Sequence, residues 1–352
     1  HPSKVGSALC NRFITIDFSE SQLELITPPF KGNQDSLSML DDIHHFVSHN
    51  IDEELIWPLS MPPKIFSEND ISVGKFGSSN QGIFKHIYRL GLANRYGKSM
   101  QAISGFHFNY SLPETIWNLS LIKDENKKYF RSKIYFSMLR NIHKMNWILI
   151  YLFGASPVIN KQLIKDKSKD FLQLDDDYLY LPNSTSLRMS EYGYSNSSRK
   201  KISISINSLK DYVADLRLAT KTPDERYVSF KNEKNAQLNS NILQIEAEYY
   251  AIARAKTTIQ KAKRMTTDLT ERGVDFIEIR SLDLNPFSRI GIDREAVLFF
   301  EIFMLLCLCE ENTNFDRQSM QNINNNDITV AKHGRKTDTL LIKEDLAISV
   351  KD

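Results

Sequence analysis

Phe276-Ile-Glu-Ile-Arg-Ser-Leu282 alternates unlike side chains with a period of two, the spacing of an extended strand with two different faces. One face presents Glu278 and Arg280, the other Ile277 and Ile279. Residues 103–112 repeat the pattern, with Gly105, His107, Asn109 and Ser111 opposite Phe106, Phe108, Tyr110 and Leu112. A third segment, around Asp17 and Glu24, sets two carboxylates in otherwise apolar, strand-like sequence. A half-exposed antiparallel sheet accounts for any one of these. Together they hold the residue types of an Mg²⁺-dependent phosphoryl-transfer site. Carboxylate oxygens and an imidazole suit the metal, and an arginine suits charge on a transferring phosphoryl group. Spacing alone leaves open whether the strands converge.

Outward from these strands, residues 13–18 read as another strand, rich in β-branched and aromatic residues. Asp35 or Ser36 is placed to cap a helix whose apolar positions Leu37, Leu40, Ile43 and Val47 recur at helical spacing. Residues 61–63 and 74–82 have loop composition, and a helix is expected over 84–95. A long, largely buried helix is expected over 129–153, a polar connector over 165–177 and a loop-rich segment over 181–198. Helices come next over 206–219 and 295–309. Four asparagines between Gln318 and Asp327 predict an exposed loop. Strands and helices mix without βαβ regularity or an internal repeat, so the expected class is α+β.

The 352 residues give one large domain or two ordinary ones, with 45 basic against 43 acidic side chains, 41% apolar and 25% charged. These proportions exclude a disordered, fibrous or coiled-coil chain. Thirteen glycines and eleven prolines fall below usage of about 7% and 5%, against a turn-dense all-β fold. Near-neutral charge argues for no nucleic acid partner, because such a binder needs a large basic surplus. The apolar runs 147–159 and 296–309 are broken by Gly154, Pro157 and Glu301. Both fall short of the ~18–20 residues that cross a bilayer, so no membrane partner is expected. No stretch has the shape of a signal peptide. Three cysteines (Cys10, Cys307 and Cys309) cannot build a disulfide framework, and buried reduced thiols in a cytoplasmic protein are expected. The first residue is His, which points to a processed or excised piece.

Other signals are weaker. His45 and His49 have the i, i+4 spacing of a zinc chelate, but Asp41 and Asp42 beside them mark a solvated face. Neither G-x-x-x-x-G-K-[ST] nor G-x-G-x-x-G occurs, which excludes nucleotide binding by those loops. The basic run 254–264 fits a solvated surface or a phosphate contact.

Several stretches resemble the proteobacterial glutamate–cysteine ligase (γ-glutamylcysteine synthetase) family. They are Ile14-Thr-Ile-Asp-Phe-Ser-Glu-Ser-Gln-Leu-Glu-Leu-Ile-Thr27, Trp57-Pro-Leu-Ser-Met-Pro62, Asn94-Arg-Tyr-Gly97, Ile103-Ser-Gly-Phe-His-Phe-Asn-Tyr-Ser-Leu-Pro113 and Tyr151-Leu-Phe-Gly-Ala-Ser-Pro157. Further on come Thr185-Ser-Leu-Arg188 with Gly193-Tyr194, then Leu243-Gln-Ile-Glu246 and Ile277-Glu-Ile-Arg-Ser-Leu-Asp-Leu-Asn-Pro-Phe-Ser288. They run in order over nearly the whole chain. The resemblance implies a glutamine-synthetase-like fold, with a curved, mainly antiparallel sheet forming a funnel-shaped active site. It implies ATP-dependent phosphorylation of the glutamate γ-carboxylate, followed by displacement of phosphate by the cysteine amine.

By position, the resemblance implies metal ligation by Asp17, Glu24, His107 and Glu278, with Mg²⁺, or Mn²⁺ in its place. Arg280 would stabilise the phosphoryl group, with Glu278 sharing the catalytic role. Phe18, Tyr88, Leu92, Arg188, Tyr194 and Tyr250 would hold cysteine, although core packing also accounts for Tyr88, Leu92 and Tyr250. Partners would be glutamate, cysteine and ATP, with the protein a monomer. The family's first strand carries two more metal-binding glutamates, and its C-terminal helical part is longer than the stretch after Gly334-Arg-Lys336. A single catalytic domain incomplete at both ends is therefore expected. Tyr250-Ala-Ile-Ala-Arg254-Ala-Lys256 also lacks prolines usual around that arginine. A carboxylate–amine ligase with another acceptor, or an inactive binding remnant, remain open alternatives.

Overall fold

The computed structural model describes residues 3–118, 124–164, 170–193, 203–232, 235–258, 263–343 and 346–350. In chain order the elements are β1 (Ile14–Ile16), β2 (Leu23–Leu25), α1 (Asn33–Asn50), α2 (Asn80–Tyr96), α3 (Lys98–Gln101), β3 (Phe106–Tyr110), α4 (Glu114–Asn118), α5 (Asp124–Phe153), β4 (Val158–Asn160), β5 (Leu172–Gln173) and β6 (Tyr178–Tyr180). They continue as α6 (Leu209–Ala219), β7 (Ala253–Lys256), α7 (Met265–Arg272), β8 (Phe276–Leu282), α8 (Arg294–Cys309), α9 (Arg317–His333), β9 (Leu340–Lys343) and β10 (Leu346–Ser349). The class is α+β, as the mixed pattern predicts.

The alternating stretches pair into one antiparallel sheet of order β3-β8-β7. Asn109 faces Glu278, which faces Arg254 on the other side, while Tyr110 and Ala255 flank Ile277. Because pairing preserves face, His107, Asn109, Arg254, Lys256, Glu278 and Arg280 share the polar side. Phe108, Ala253, Ala255, Ile277 and Ile279 share the other and enter the main core. The register shifts between Phe106 and Phe108, so that His107 alone stands opposite both Arg280 and Ser281. This is a β-bulge on β8.

The apolar side of the sheet lies on α5, whose Tyr135, Phe136, Met138, Leu139, Ile142 and Leu149 are buried. α8 covers the same core with Ala296, Val297, Phe300, Phe303, Met304 and Cys307, a helical stripe. Asp293 caps it by accepting from the Ala296 amide at 2.8 Å. Phe300 meets Phe108 and Phe153 at ring-centroid distances of 5.4 and 4.8 Å. β1 and β2 form a separate hairpin with Thr15 opposite Glu24. Gln22 ties it to the start of β3 by donating to the Ser104 hydroxyl at 3.0 Å.

Three local expectations are corrected. Residues 318–327 are helical and form part of α9, with Asn326 and Asp327 buried. Asp316 caps the helix by accepting from the Ser319 amide at 2.7 Å. Asn326 exchanges two 2.8 Å hydrogen bonds with the backbone of Ile342 in β9, and Asp327 accepts from Asn146 at 2.8 Å. Tertiary partners thus supply what the helix interior denies these side chains. Among the cysteines only Cys307 is buried; Cys10 and Cys309 are exposed. α1 begins at Asn33 after Gly32, with no side-chain cap. Among the described residues, no helix is long and apolar enough to cross a membrane.

Candidate active site

The hairpin turn, α2 and the polar side of the β3-β8-β7 sheet enclose a cleft of about 150 Å³. α2 starts where Ser79 accepts from the Gly82 amide and stops at Gly97, whose φ of 84° favours glycine. Tyr88, Arg89, Leu92 and Tyr96 lie at i, i+1, i+4 and i+8 along it and face the cleft. Asp17 and Phe18 enter from the end of β1, Tyr250 and Arg254 from the approach to β7 and its start, and Arg280 from β8. Of the residues marked in the sequence, Asp17, Phe18, Tyr88, Leu92, Tyr250 and Arg280 therefore line one space.

Glu278 is the electrostatic centre. Its carboxylate lies 3.3 Å from Arg280 Nη1, 3.4 Å from Lys256 Nζ and 3.7 Å from His107 Nδ1. Burial alone would raise its pKa, but Arg280, Lys256, His107 and Arg254 outweigh that and hold it at about 2. His107 is pushed well below its usual value, first by burial and then by Arg280. The imidazole is thus neutral and available as a ligand. Lys256 is lowered by burial.

The opposite wall has surplus negative charge. Asp17 and Glu24 fall on the same side of the β1-β2 hairpin, since Thr15 pairs with Glu24 and the Asp17 amide donates to the Gln22 carbonyl at 3.0 Å. Asp17 lines the cleft with its side chain open to solvent; the protein around it raises its pKa, against the pull of Arg89 and Arg280. Glu24 is raised to about 7 by burial, then by Asp17 and Glu278. Glu24 thus feels the charge of both Asp17 and Glu278. Among the described residues, no three of His, Cys, Asp and Glu come close enough to hold a metal ion unaided.

Tyr194 lies outside the described residues. Arg188 is not in the cleft lining; it sits beside β8, 1% exposed, where its Nη2 donates to the Arg280 carbonyl at 2.7 Å. Sequence reasoning missed Arg89, Tyr96, Met100, Gln101, Ala247 and Glu248 in the lining. Arg89 donates to the carbonyls of Asp17 and Ile16, bracing the carboxylate hairpin against α2. Its signal was its place one residue after Tyr88 and three before Leu92. Arg254, the first member of the basic run, is buried and donates to the carbonyls of Ala247 and Tyr249. It belongs to the cleft, and residues 259–262 of that run lie outside the described residues. His45 and His49 lie on the exposed part of α1, with His45 4.0 Å from Asp41.

Residues 1–330 match the family described as glutamate-cysteine ligase. The glutamate–cysteine ligase of Alcanivorax borkumensis is 40% identical over 363 residues, spanning 100% of this chain and 69% of that relative. That of Pseudomonas putida KT2440 is 40% identical over 358 residues, spanning 100% and 68%. Among solved structures, glutamate–cysteine ligase from Francisella tularensis in complex with AMP superposes with a TM-score of 0.94 at 37% identity, covering 100% of this chain and 71% of that one. A bifunctional glutathione synthetase from Pasteurella multocida gives 0.74 at 28% identity, covering 96% and 40%.

Proposed function

The chain belongs to the glutamate–cysteine ligase family, and we propose that it joins the γ-carboxylate of glutamate to the amine of cysteine at the expense of ATP, the first step of glutathione synthesis. The observation that carries this reading is the cleft itself, where arginines and carboxylates line one space with Phe18, Leu92 and Tyr250. The AMP held by the Francisella relative supports an adenine nucleotide as co-substrate. Arg280 stabilises charge on the transferring phosphoryl group, and Glu278 fixes that guanidinium from 3.3 Å away. Phe18, Leu92, Tyr88 and Tyr250 form the half-apolar wall that suits a small thiol side chain. The polar sheet face is the wall of a glutamine-synthetase-like funnel, and the chain works as a monomer in the cytoplasm.

Asp17, Glu24, His107 and Glu278 have the chemistry to hold Mg²⁺, or Mn²⁺ in its place. The fit rests on the burial of Glu24, reinforced by Asp17 and Glu278, which lifts it to about 7, a cost that a bound cation would relieve. Mg²⁺ commonly binds through one or two carboxylates plus substrate phosphates, so a closed protein cage is not required. When bound, it neutralises phosphate charge.

Incubation with ATP, Mg²⁺, glutamate and cysteine is expected to release ADP and γ-glutamylcysteine in equal amounts, with cysteine preferred over other amino acids. Neither product forming would overturn the reading, and equal turnover with another amine would reassign the acceptor. A second expectation concerns pH. Carboxylate ligands must be ionised to bind metal, and a carboxyl at about 7 is mostly protonated at pH 6. Mg²⁺ affinity measured by calorimetry should therefore rise with pH, by about tenfold from pH 6 to 8. Glu24→Gln should flatten that dependence; an equally steep curve in the variant would remove Glu24 from the site.

A further inference from the structure

Beside β8 lies a buried ion pair whose members both reach the strand that carries Arg280 or its end. Arg188 and Asp283 have side chains 1% and 0% exposed, with Nη1 and Oδ1 3.6 Å apart. Arg188 Nη2 donates to the Arg280 carbonyl at 2.7 Å. The second Asp283 oxygen accepts from the Ala155 amide at 2.9 Å and from the Ser156 hydroxyl at 2.6 Å. The Leu187 amide donates to the Ser156 carbonyl at 2.7 Å, closing the loop between the two segments. Gly105 completes the arrangement, because a Cβ there would collide with the Arg188 guanidinium.

We propose that Asp283 is a positioning residue for the ligation reaction. Through Arg188 it fixes the backbone at Arg280 and so the aim of that guanidinium toward the phosphoryl group; the inference rests on the ligase reading above. The chemistry of the pair carries it. The Arg188 guanidinium meets the carboxylate by charge at 3.6 Å and the carbonyl by a hydrogen bond, two directions that a planar arginine holds more rigidly than a lysine ammonium. Asp283 in turn is anchored by two donors from residues 155–156, so the orientation of Arg188 is set before any ligand arrives. Small errors in the position of a charge-stabilising group cost rate far more than affinity.

The test uses the full chain and steady-state kinetics. Asp283→Asn should lower kcat by about 10–100-fold, the range for partners that orient a reacting group. KM for ATP and glutamate, and calorimetric binding of Mg²⁺·ADP, should stay within about twofold. Gly105→Ala reaches the same guanidinium without removing a charge and should lower kcat in the same direction. It carries the test if Asp283→Asn fails to fold. Ser156→Ala should have a smaller effect, since the Ala155 amide still holds the carboxylate. Unchanged kcat in a folded Asp283 or Gly105 variant overturns the positioning role, as does an effect confined to KM for cysteine. No turnover by the unmodified chain overturns the ligase reading, and this role with it.

Discussion

Replacing Glu278 by glutamine is expected to lower kcat by about 10²-fold or more while the protein still folds. The carboxylate is held at about 2 against an ordinary value of 4.5, so it is fully charged at neutral pH. It is the common partner of Arg280, Lys256 and His107, at 3.3, 3.4 and 3.7 Å. Glutamine keeps the volume and loses the charge. Arg280 then loses the anion that sets its aim, and a metal ligand is weakened at the same time. The fold survives because the leftover positive charge can be shed. Lys256 is already lowered by burial, and His107 is already neutral. The sign of the acid response gives a second readout. A depressed carboxyl stabilises the folded state fully above pH 4.5, and that contribution is lost as pH falls toward 2. Glu278→Gln should therefore flatten the acid unfolding curve in that window. Wild-type turnover in the variant would remove Glu278 from the reacting centre.

The largest stability effect is expected at Arg95. Its guanidinium and the Glu248 carboxylate are fully buried and 3.0 Å apart. Arg95 also donates to Gln237 Oε1 at 2.9 and 3.1 Å and to the Asn239 carbonyl at 2.5 Å, and stacks over Tyr227 at 4.1 Å. Glu248 accepts from the Tyr96 hydroxyl at 2.8 Å and the Gln244 amide at 2.6 Å. Arg95→Ala strands a buried carboxylate and should cost about 3–5 kcal/mol in urea unfolding. Arg95→Met with Glu248→Leu removes both charges and should recover most of that loss. A single variant within about 1 kcal/mol of wild type would show the pair to be energetically minor. Because this pair fastens the end of α2 to residues 237–248, loss of stability should be accompanied by loosening around Tyr88, Leu92 and Tyr96.

The alternation in residues 276–282 was legible because a strand repeats every two residues, and both Glu278 and Arg280 follow from it. Helix α8 was legible from its apolar stripe, and its cap Asp293 stands where the stripe begins. Helix α9 was hidden because Asn326 is satisfied by Ile342, a partner 16 residues away that local propensity cannot see. Arg89 and Glu248 carry no motif of their own. Their places in the cleft come from the packing of α2 against the hairpin and against residues 244–248, which only the folded chain brings together. Arg254 was concealed inside a run of surface-like charges, although its register partner is Glu278.

The bulge in β8 bears on transplantation. Where one residue of β3 faces two of β8, the sheet has a unique phase at that point, and sliding either strand would put His107 and Arg280 out of step. The direction in which Arg280 points is consequently written into the backbone, upstream of any rotamer choice. A designer who copied Glu278, Arg280 and His107 onto a regular sheet would reproduce the residues and lose their mutual angle. The extra residue of β8 has to travel with them, along with a glycine where the Arg188 guanidinium comes closest.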